Sequence, residues 1–351
     1  MSRSKPLALS FAFLLLSLSL LSGCQTRSTM TCLPDCSGIN LSDKNLEGAD
    51  LSGAILTNTN LSRSNLSGAN LAGAILNNAN LEQSNLVNAN LTNAVLAGAS
   101  LQRAKLTGAQ LENADLSAAN FSESILTGAD LTSARINATI FTKARLIAVN
   151  LREAQLNGIN FDGANLTGAN LSAANLSGAS FAGARLVGAS LYDATLNGIN
   201  ATEASFISAD LSSADLRGGD FSDASFIGAN LMVANLSGGF FESTDFSGAI
   251  LDRAEIINAD LALSFLYGTS FIGSNLQGSQ FAFMTEEGMN TANIYGATFA
   301  RADFTDVYLA GVIMHGGNLL SANMEDAILT DRFIINDEII ELTAEFTGVV
   351  R

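Results

Sequence analysis

The stretch Leu66-Ser67-Gly68-Ala69-Asn70-Leu71-Ala72-Gly73-Ala74-Ile75-Leu76 carries the rule that governs most of this chain, an apolar residue at every fifth position. Stepping by five from Leu41 to Phe281 meets Leu or Phe each time, except at Ile136, Ala201 and Ile256; 240 residues at that step hold 48 intervals, and so 49 units. A helix turns about 100° per residue, so a period of five forms no stripe along it. A strand alternates its faces, so an odd period would send successive leucines to opposite sides. The backbone must therefore bend once per unit. Two positions after the apolar residue stand Gly48 and Gly53, or polar residues such as Asn58 and Asn78. These types accept the positive φ of a tight turn. Two positions before it stands a small residue, as at Ala49, Ala54 and Ala69, which suits a narrow tube.

Phenylalanine recurs at twenty rather than five: Phe121, Phe141, Phe161 and Phe181, then Phe221, Phe241 and Phe281, with a second series at Phe206, Phe226 and Phe246. Residues that change together at twenty stack, so four units make one coil. At Ala201 the series breaks, and Ile199 replaces the usual alanine, a volume exchange that a filled interior favours. Four corners of about 90° close a square.

Units such as Ala49-Asp50-Leu51 and Ala69-Asn70-Leu71 resemble the pentapeptide-repeat family across most of the chain. The resemblance implies an all-β fold, a right-handed, four-sided β-solenoid with Leu or Phe and Ala inside. Leucine-rich repeats, with periods of roughly 20–29 residues and unequal internal spacing, do not fit.

Residues 1–23 read as a targeting segment, with Arg3 and Lys5 ahead of an apolar run from Leu7 to Leu21 that is short for a membrane span. Leu21-Ser22-Gly23-Cys24 resembles the bacterial lipobox, which implies lipid modification of Cys24 and a membrane partner; an ordinary secretory signal with a chance cysteine is the alternative. Gln25 is not the aspartate that often marks inner-membrane retention in such lipoproteins, which favours the outer membrane in a Gram-negative envelope. Residues 24–40 are expected to form a tether and cap. In an oxidising compartment Cys32 and Cys36 form a disulfide candidate, with two free thiols as the alternative. Zinc would find only half a tetrahedral ligand set there.

The solenoid is expected over 41–283, a register-slip loop over 284–293, and a resumed solenoid over 294–330 through Ile294, Phe299, Phe304, Leu309, Met314, Leu319, Met324 and Leu329. In 331–351, Ile335, Ile339, Leu342 and Phe346 follow helical spacing and predict a capping helix. A stacked solenoid needs such a cap over its exposed last coil.

Neither an enzyme nor a cofactor or metal site is expected. The only histidine, His315, follows an inward Met314; Glu286-Glu287 and Asp337-Glu338 are sequence neighbours, which rarely converge on one atom; and the glycines belong to corners, not to a phosphate loop. Two surface features stand out. Ile55, Ile75 and Val95, twenty apart, predict an outward apolar column, covered by the N-terminal segment or used in self-association or membrane contact. The formal charge of −16 is also unevenly spread: residues 40–199 carry 11 acids and 9 bases, residues 200–351 carry 21 acids and 5 bases. Vertical neighbours are opposite in the first half, as with Asp43 and Arg63 or Arg103 and Glu123, and alike in the second, as with Glu203 and Asp223 or Asp306 and Asp326. Those four acids mark a candidate face for a basic protein surface or divalent cations, or solubility alone. A non-enzymatic, lipid-anchored scaffold is the leading expectation. The family resemblance supplies the rival, a DNA-mimicking gyrase binder, although export makes contact with nucleic-acid machinery unlikely.

Overall fold

The computed structural model describes residues 35–285, 288–309, 312–328, 333–335 and 338–340. The backbone winds as coils of twenty residues, joined by four parallel ladders that pass through Asp35, Asn40, Asn45 and Asp50 and repeat at every twentieth residue. We number the faces carrying these ladders 1 to 4 in that order. From Asp35 to Ile328, less the eight residues by which the ladder shifts at Phe265–Asn293, the chain completes a little over fourteen coils. At ~4.8 Å per coil the stack is about 68 Å long.

A regular five-residue unit satisfies its own backbone, as the one around Leu71 illustrates. Leu71 N donates to Asn90 O (2.7 Å) and Gly73 N to Thr92 O (2.9 Å) in the next coil, while Ile75 N donates to Ala54 O (2.9 Å) in the previous one. Ala74 N closes the corner onto Leu71 O (3.0 Å). With φ of 64° at Gly73, this is the type II arrangement, in which the third turn residue takes positive φ. The fifth N–H, that of Ala72, donates to the side-chain Oδ1 of Asn70 (3.2 Å). Where an Asn or Asp precedes the leucine, as here, it caps the turn, and such a unit leaves no donor unpaired.

Inside, Leu, Phe and Ala are almost wholly buried from Leu41 to Phe304. The phenylalanines stack coil on coil, with ring centroids 5.4 Å apart for Phe121–Phe141, 5.0 Å for Phe161–Phe181 and 4.7 Å for Phe206–Phe226. Where serine or threonine replaces the small residue, the buried hydroxyl donates to a backbone carbonyl, as Ser64 Oγ does to Leu61 O (2.7 Å) and Thr59 Oγ1 to Cys36 O (2.8 Å). Burial without such a bond would cost about 1–3 kcal/mol.

The ladder opens at one place. Arg135 pairs with Asp115 behind it and Gln155 with Asn175 ahead, yet the two do not pair with each other. A cavity of about 540 Å³ lies between their coils, lined by Thr132, Ser133, Arg135, Asn150, Arg152 and Glu153 among others. These coils carry buried Thr139, Val149 and Ile159 at the small position without a matching reduction nearby. Extra methyl groups in a filled tube force backbone shifts. Ile199 shows the contrast: Ala201 offsets its volume, both are buried, and Asn200 keeps its partners Ser180 and Asp220.

Three boundaries differ from expectation. Asp35, the first described residue, is already in the ladder, so residues 35–40 belong to the solenoid rather than to a tether and cap; Cys36 occupies the inward position and is buried. The slip at 284–293 is an antiparallel hairpin, β1 (Ala282–Thr285) with β2 (Gly288–Thr291), inserted at the corner between faces 2 and 3. Ala292 N closes it onto Phe281 O (2.7 Å), the same bond that closes an ordinary corner, and β3 (Ile294–Tyr295) resumes the coil. The capping helix does not form over the described part of 331–351. Instead β5 (Phe333–Ile335) pairs in parallel with β4 (Ile313–His315), and β6 (Glu338–Ile340) folds back antiparallel on β5. An open strand edge offers unpaired N–H and C=O groups that a helix cannot satisfy, and Ile334, Ile335, Ile339 and Ile340 are β-branched. Leu342 and Phe346 lie outside the described residues.

Candidate functional site

Cys24, Cys32, Glu286, Glu287 and Asp337 lie outside the described residues. Cys36, the other half of the disulfide candidate, stands where a leucine normally does, and its N–H donates to Ile55 O (2.8 Å). Glu338 lies on β6 opposite Ile335, and His315 on β4 opposite Tyr295. Among the described residues no group of three or more His, Cys, Asp or Glu is placed to hold a metal ion, and no helix is long and apolar enough to cross a membrane. Ile55, Ile75 and Val95 do stack on face 1, but each is half-buried between its neighbours.

The four candidate acids occupy two corners flanking face 2. Glu203 and Asp223 lie at the corner between faces 2 and 3, with φ of 59° each; Asp306 and Asp326 lie at the corner between faces 1 and 2, with φ of 58° and 53°. Even the nearest members, Asp223 and Asp306, are nearly four coils apart, ~18 Å at the inter-strand spacing, so the four do not meet in one site. They border a common strip instead. Face 2 and its two corners carry Glu203, Asp220, Asp223, Glu242, Asp260, Asp306, Glu325 and Asp326 against the single base Arg217 over described residues from 200 onward.

The face-centre acids do local work as well. Asp220 Oδ1 accepts the turn N–H of Ser222 and Asp260 Oδ1 that of Ala262, each at 3.0 Å. In the earlier coils of face 2 the same cap is made by Asn60, Asn80, Asn120, Asn160 and Asn200. An amide oxygen therefore suffices for the turn, and the added charge of Asp220 and Asp260 is not required by the fold. Sequence reasoning passed over these two because they look like ordinary repeat aspartates; the signal was the change from Asn to Asp within one ladder.

Opposite charges pair in the first half. Arg63 holds Asp43 in a two-pronged bond (Nε–Oδ1 and Nη2–Oδ2, both 2.7 Å), and Arg103 Nε reaches Glu123 Oε2 at 2.9 Å. The hydrogen bond from each arginine holds the Asp43 and Glu123 carboxyls below their ordinary range. Beyond residue 200 the one ion pair among the described residues is Arg217 with Asp215 (2.7 Å), which lowers the Asp215 carboxyl in the same way. Asp303 is held differently. Burial works against its charge, but bonds from Thr305, Gln277 (2.7 Å) and Asn323 (3.1 Å) outweigh it and keep its pKa low.

The repeats match the family model of pentapeptide repeats over residues 35–73, 74–113, 184–223, 209–248, 249–282 and 292–331, and that of the pentapeptide repeat region over 99–181. Among solved structures, HetL, a pentapeptide repeat protein involved in heterocyst differentiation regulation in Nostoc sp. strain PCC 7120, is 35% identical, with 64% of this chain and 88% of that one covered and a TM-score of 0.28. A pentapeptide repeat protein from the Arabidopsis thaliana thylakoid lumen is 32% identical over 29% of this chain and 71% of its own, with a TM-score of 0.29. QnrB1, a plasmid-mediated fluoroquinolone resistance protein, is 23% identical over 53% of this chain and 89% of its own, with a TM-score of 0.25. Among curated proteins, none matches. With its repeats matched from residue 35 to 331, and a backbone that closes one hydrogen-bonded corner per five residues, the chain belongs to the pentapeptide repeat family.

Proposed function

We propose that this protein is a non-enzymatic interaction scaffold of the cell envelope, exported, lipid-anchored through Cys24 and wound right-handed. Face 2 of its distal half is the surface that receives a basic protein partner. The observation that carries this reading is the switch from Asn to Asp along face 2, where the turn cap needs no charge. A fold under no other demand would keep the amide at Asp220 and Asp260, and at the flanking corners would avoid stacking Glu203 on Asp223 and Asp306 on Asp326, which costs roughly 0.2–1 kcal/mol per directly opposed pair. The acids run as a strip over several coils rather than gathering at one point, which favours an extended basic surface over a single bound divalent cation.

A Lys/Arg-rich peptide titrated onto the protein tests this. Binding should weaken steeply between low and about 0.5 M salt, because exposed charges are screened within a few ångströms there. Asp220→Asn with Asp223→Asn and Asp260→Asn should reduce it further. Equal loss from Asp210→Asn with Asp252→Asn, on face 4 and its corner, would mean that only net charge matters. The acidic strip also suits the second reading, mimicry of DNA toward a gyrase-like partner. Mass spectrometry of the mature N-terminus separates the two, since diacylglycerol on Cys24 excludes a cytoplasmic partner.

A further inference from the structure

The face opposite the acidic strip has a different surface. Among the described residues, face 4 of the distal half, with its two corners, carries Asp210 and Asp252 against Arg253 and Arg301, a net charge of zero. The same surface holds eight exposed large hydrophobics: Ile227, Met232, Val233, Ile250, Tyr267, Ile272, Tyr295 and Leu320, between 39% and 71% exposed. By comparison, face 2 and its corners over the same coils expose only Phe240 and Ile328 in this class among the described residues. Ile227, Tyr267 and Tyr295 line one corner, Ile250 the face centre, and Met232, Ile272 and Leu320 the other corner. The rings of Tyr267 and Tyr295 lie 6.3 Å apart. Glycines at positive φ, Gly228, Gly248, Gly268 and Gly296, follow the first corner and leave it without side chains that could shield the apolar ones.

We propose that distal face 4 is the contact through which a second copy of this chain docks side by side. Two features select that occupant. First, face 2 and its corners in each copy carry eight acids and one base among the described residues, so two rods approach without strong repulsion only on a neutral side, and pairing through face 4 turns both acidic strips outward. Second, the face carries both signs: Asp252, Arg253 and Arg301 lie in the corner column of Met232, Ile272 and Leu320, and Asp210 at the face centre two coils before Ile250, so its own copy supplies two acids and two bases to a facing strip. From Ile227 to Leu320 the strip spans a little over four coils, ~20 Å, by five residues, ~16 Å, a footprint of roughly 330 Å². That is within the size of the largest apolar patch on a typical monomer, about 300–600 Å², a patch that is often functional. A standard interface buries about 800 Å² per partner, so the polar rim must contribute and the dimer is weak and concentration-dependent.

Sedimentation velocity of the intact chain over a wide concentration range tests the proposal. The expected result is a monomer–dimer equilibrium that persists or strengthens in high salt. Ile250→Lys with Ile272→Lys, both at exposed positions, should abolish the dimer while leaving the melting temperature within a degree or two. Asp220→Asn with Asp260→Asn on face 2 should leave it in place. A protein that stays monomeric at the highest concentration overturns the inference. So does a dimer that survives the lysine pair, which would place the contact elsewhere. Monomers that bind phosphatidylcholine vesicles through the same residues overturn it in favour of a lipid surface. None of these results bears on peptide capture by face 2, so the two proposals fail separately.

Discussion

Gly238 and Gly239 are adjacent glycines with unrelated reasons to be glycine, and the second allows a quantitative test of how the tube is filled. Gly238 lies at a corner with φ of 67° and open space around it, so its constraint is conformational. Gly239 occupies the small inward position, and a Cβ there would lie 2.7 Å from Cε2 and 3.0 Å from Cζ of Phe241. The ring cannot move aside freely: it stacks on Phe221 at 5.2 Å and meets Phe246 at 5.5 Å. Gly219 and Phe221 repeat the arrangement one coil earlier, with 2.6 Å to Cε2. Overpacking of this kind costs about 1–3 kcal/mol, so Gly239→Ala should destabilise by that amount. Phe241→Leu should also destabilise, by roughly 1–3 kcal/mol, through lost burial and lost aromatic contacts. Together they recreate the ordinary Ala-x-Leu unit, in which the new methyl fills space the ring vacated. The double variant should therefore be more stable than the sum of the singles predicts, by about 1–2 kcal/mol. Urea unfolding midpoints at a common slope give the cycle, because an array of stacked repeats need not unfold in two states and a fitted total stability would mislead. Additivity within ~0.5 kcal/mol would refute the idea that Phe241 dictates the glycine.

Other consequences are simpler to measure. Ala173 lies exposed with φ of 56°, so Ala173→Gly should stabilise by ~0.5–1 kcal/mol, the left-handed penalty less the backbone freedom that glycine loses; unchanged or lower stability would contradict the corner geometry. Where the ladder opens, the N–H groups of Leu131, Ser133 and Ile136 find no carbonyl in the next coil, so their hydrogen exchange should be much faster than at the equivalent Leu111, Asn113 and Leu116. Asp303, whose folded pKa is depressed, adds stability fully present above its unfolded value near 3.9 and lost as pH falls through the lower folded value. Asp303→Asn should therefore be less stable than wild type at pH 7, and the difference should shrink in acid; a constant difference would show that the charge is irrelevant. Leu171→Asp should collapse the melting temperature while neighbouring Ser172→Asp barely changes it, since Leu171 is fully buried and Ser172 is half-exposed.

The sequence alone determined the coil. A Leu or Phe every five residues, a small residue two before it and a turn-former two after it leave one way to bury the apolar set, and the spacing of phenylalanine at twenty sets four units per turn. Such information is local and repeated, so each unit restates it. Several properties were decided only in three dimensions. Residues 333–335 and 338–340 became strands because the last coil presents an open edge, a property of the neighbouring coil rather than of their own apolar spacing. The ladder parts between Arg135 and Gln155 because volumes from Thr139, Val149 and Ile159 share one stretch of tube, which no single unit reveals. Asp220 and Asp260 read as repeat residues until their ladder shows asparagine doing the same work without charge. Ile227, Ile250, Tyr267 and Ile272 are scattered along the chain, but the twenty-residue winding brings them to one side of the rod and sets most of the acids on the other. The period fixes how each residue faces the axis; only the wound structure fixes which residues share a face.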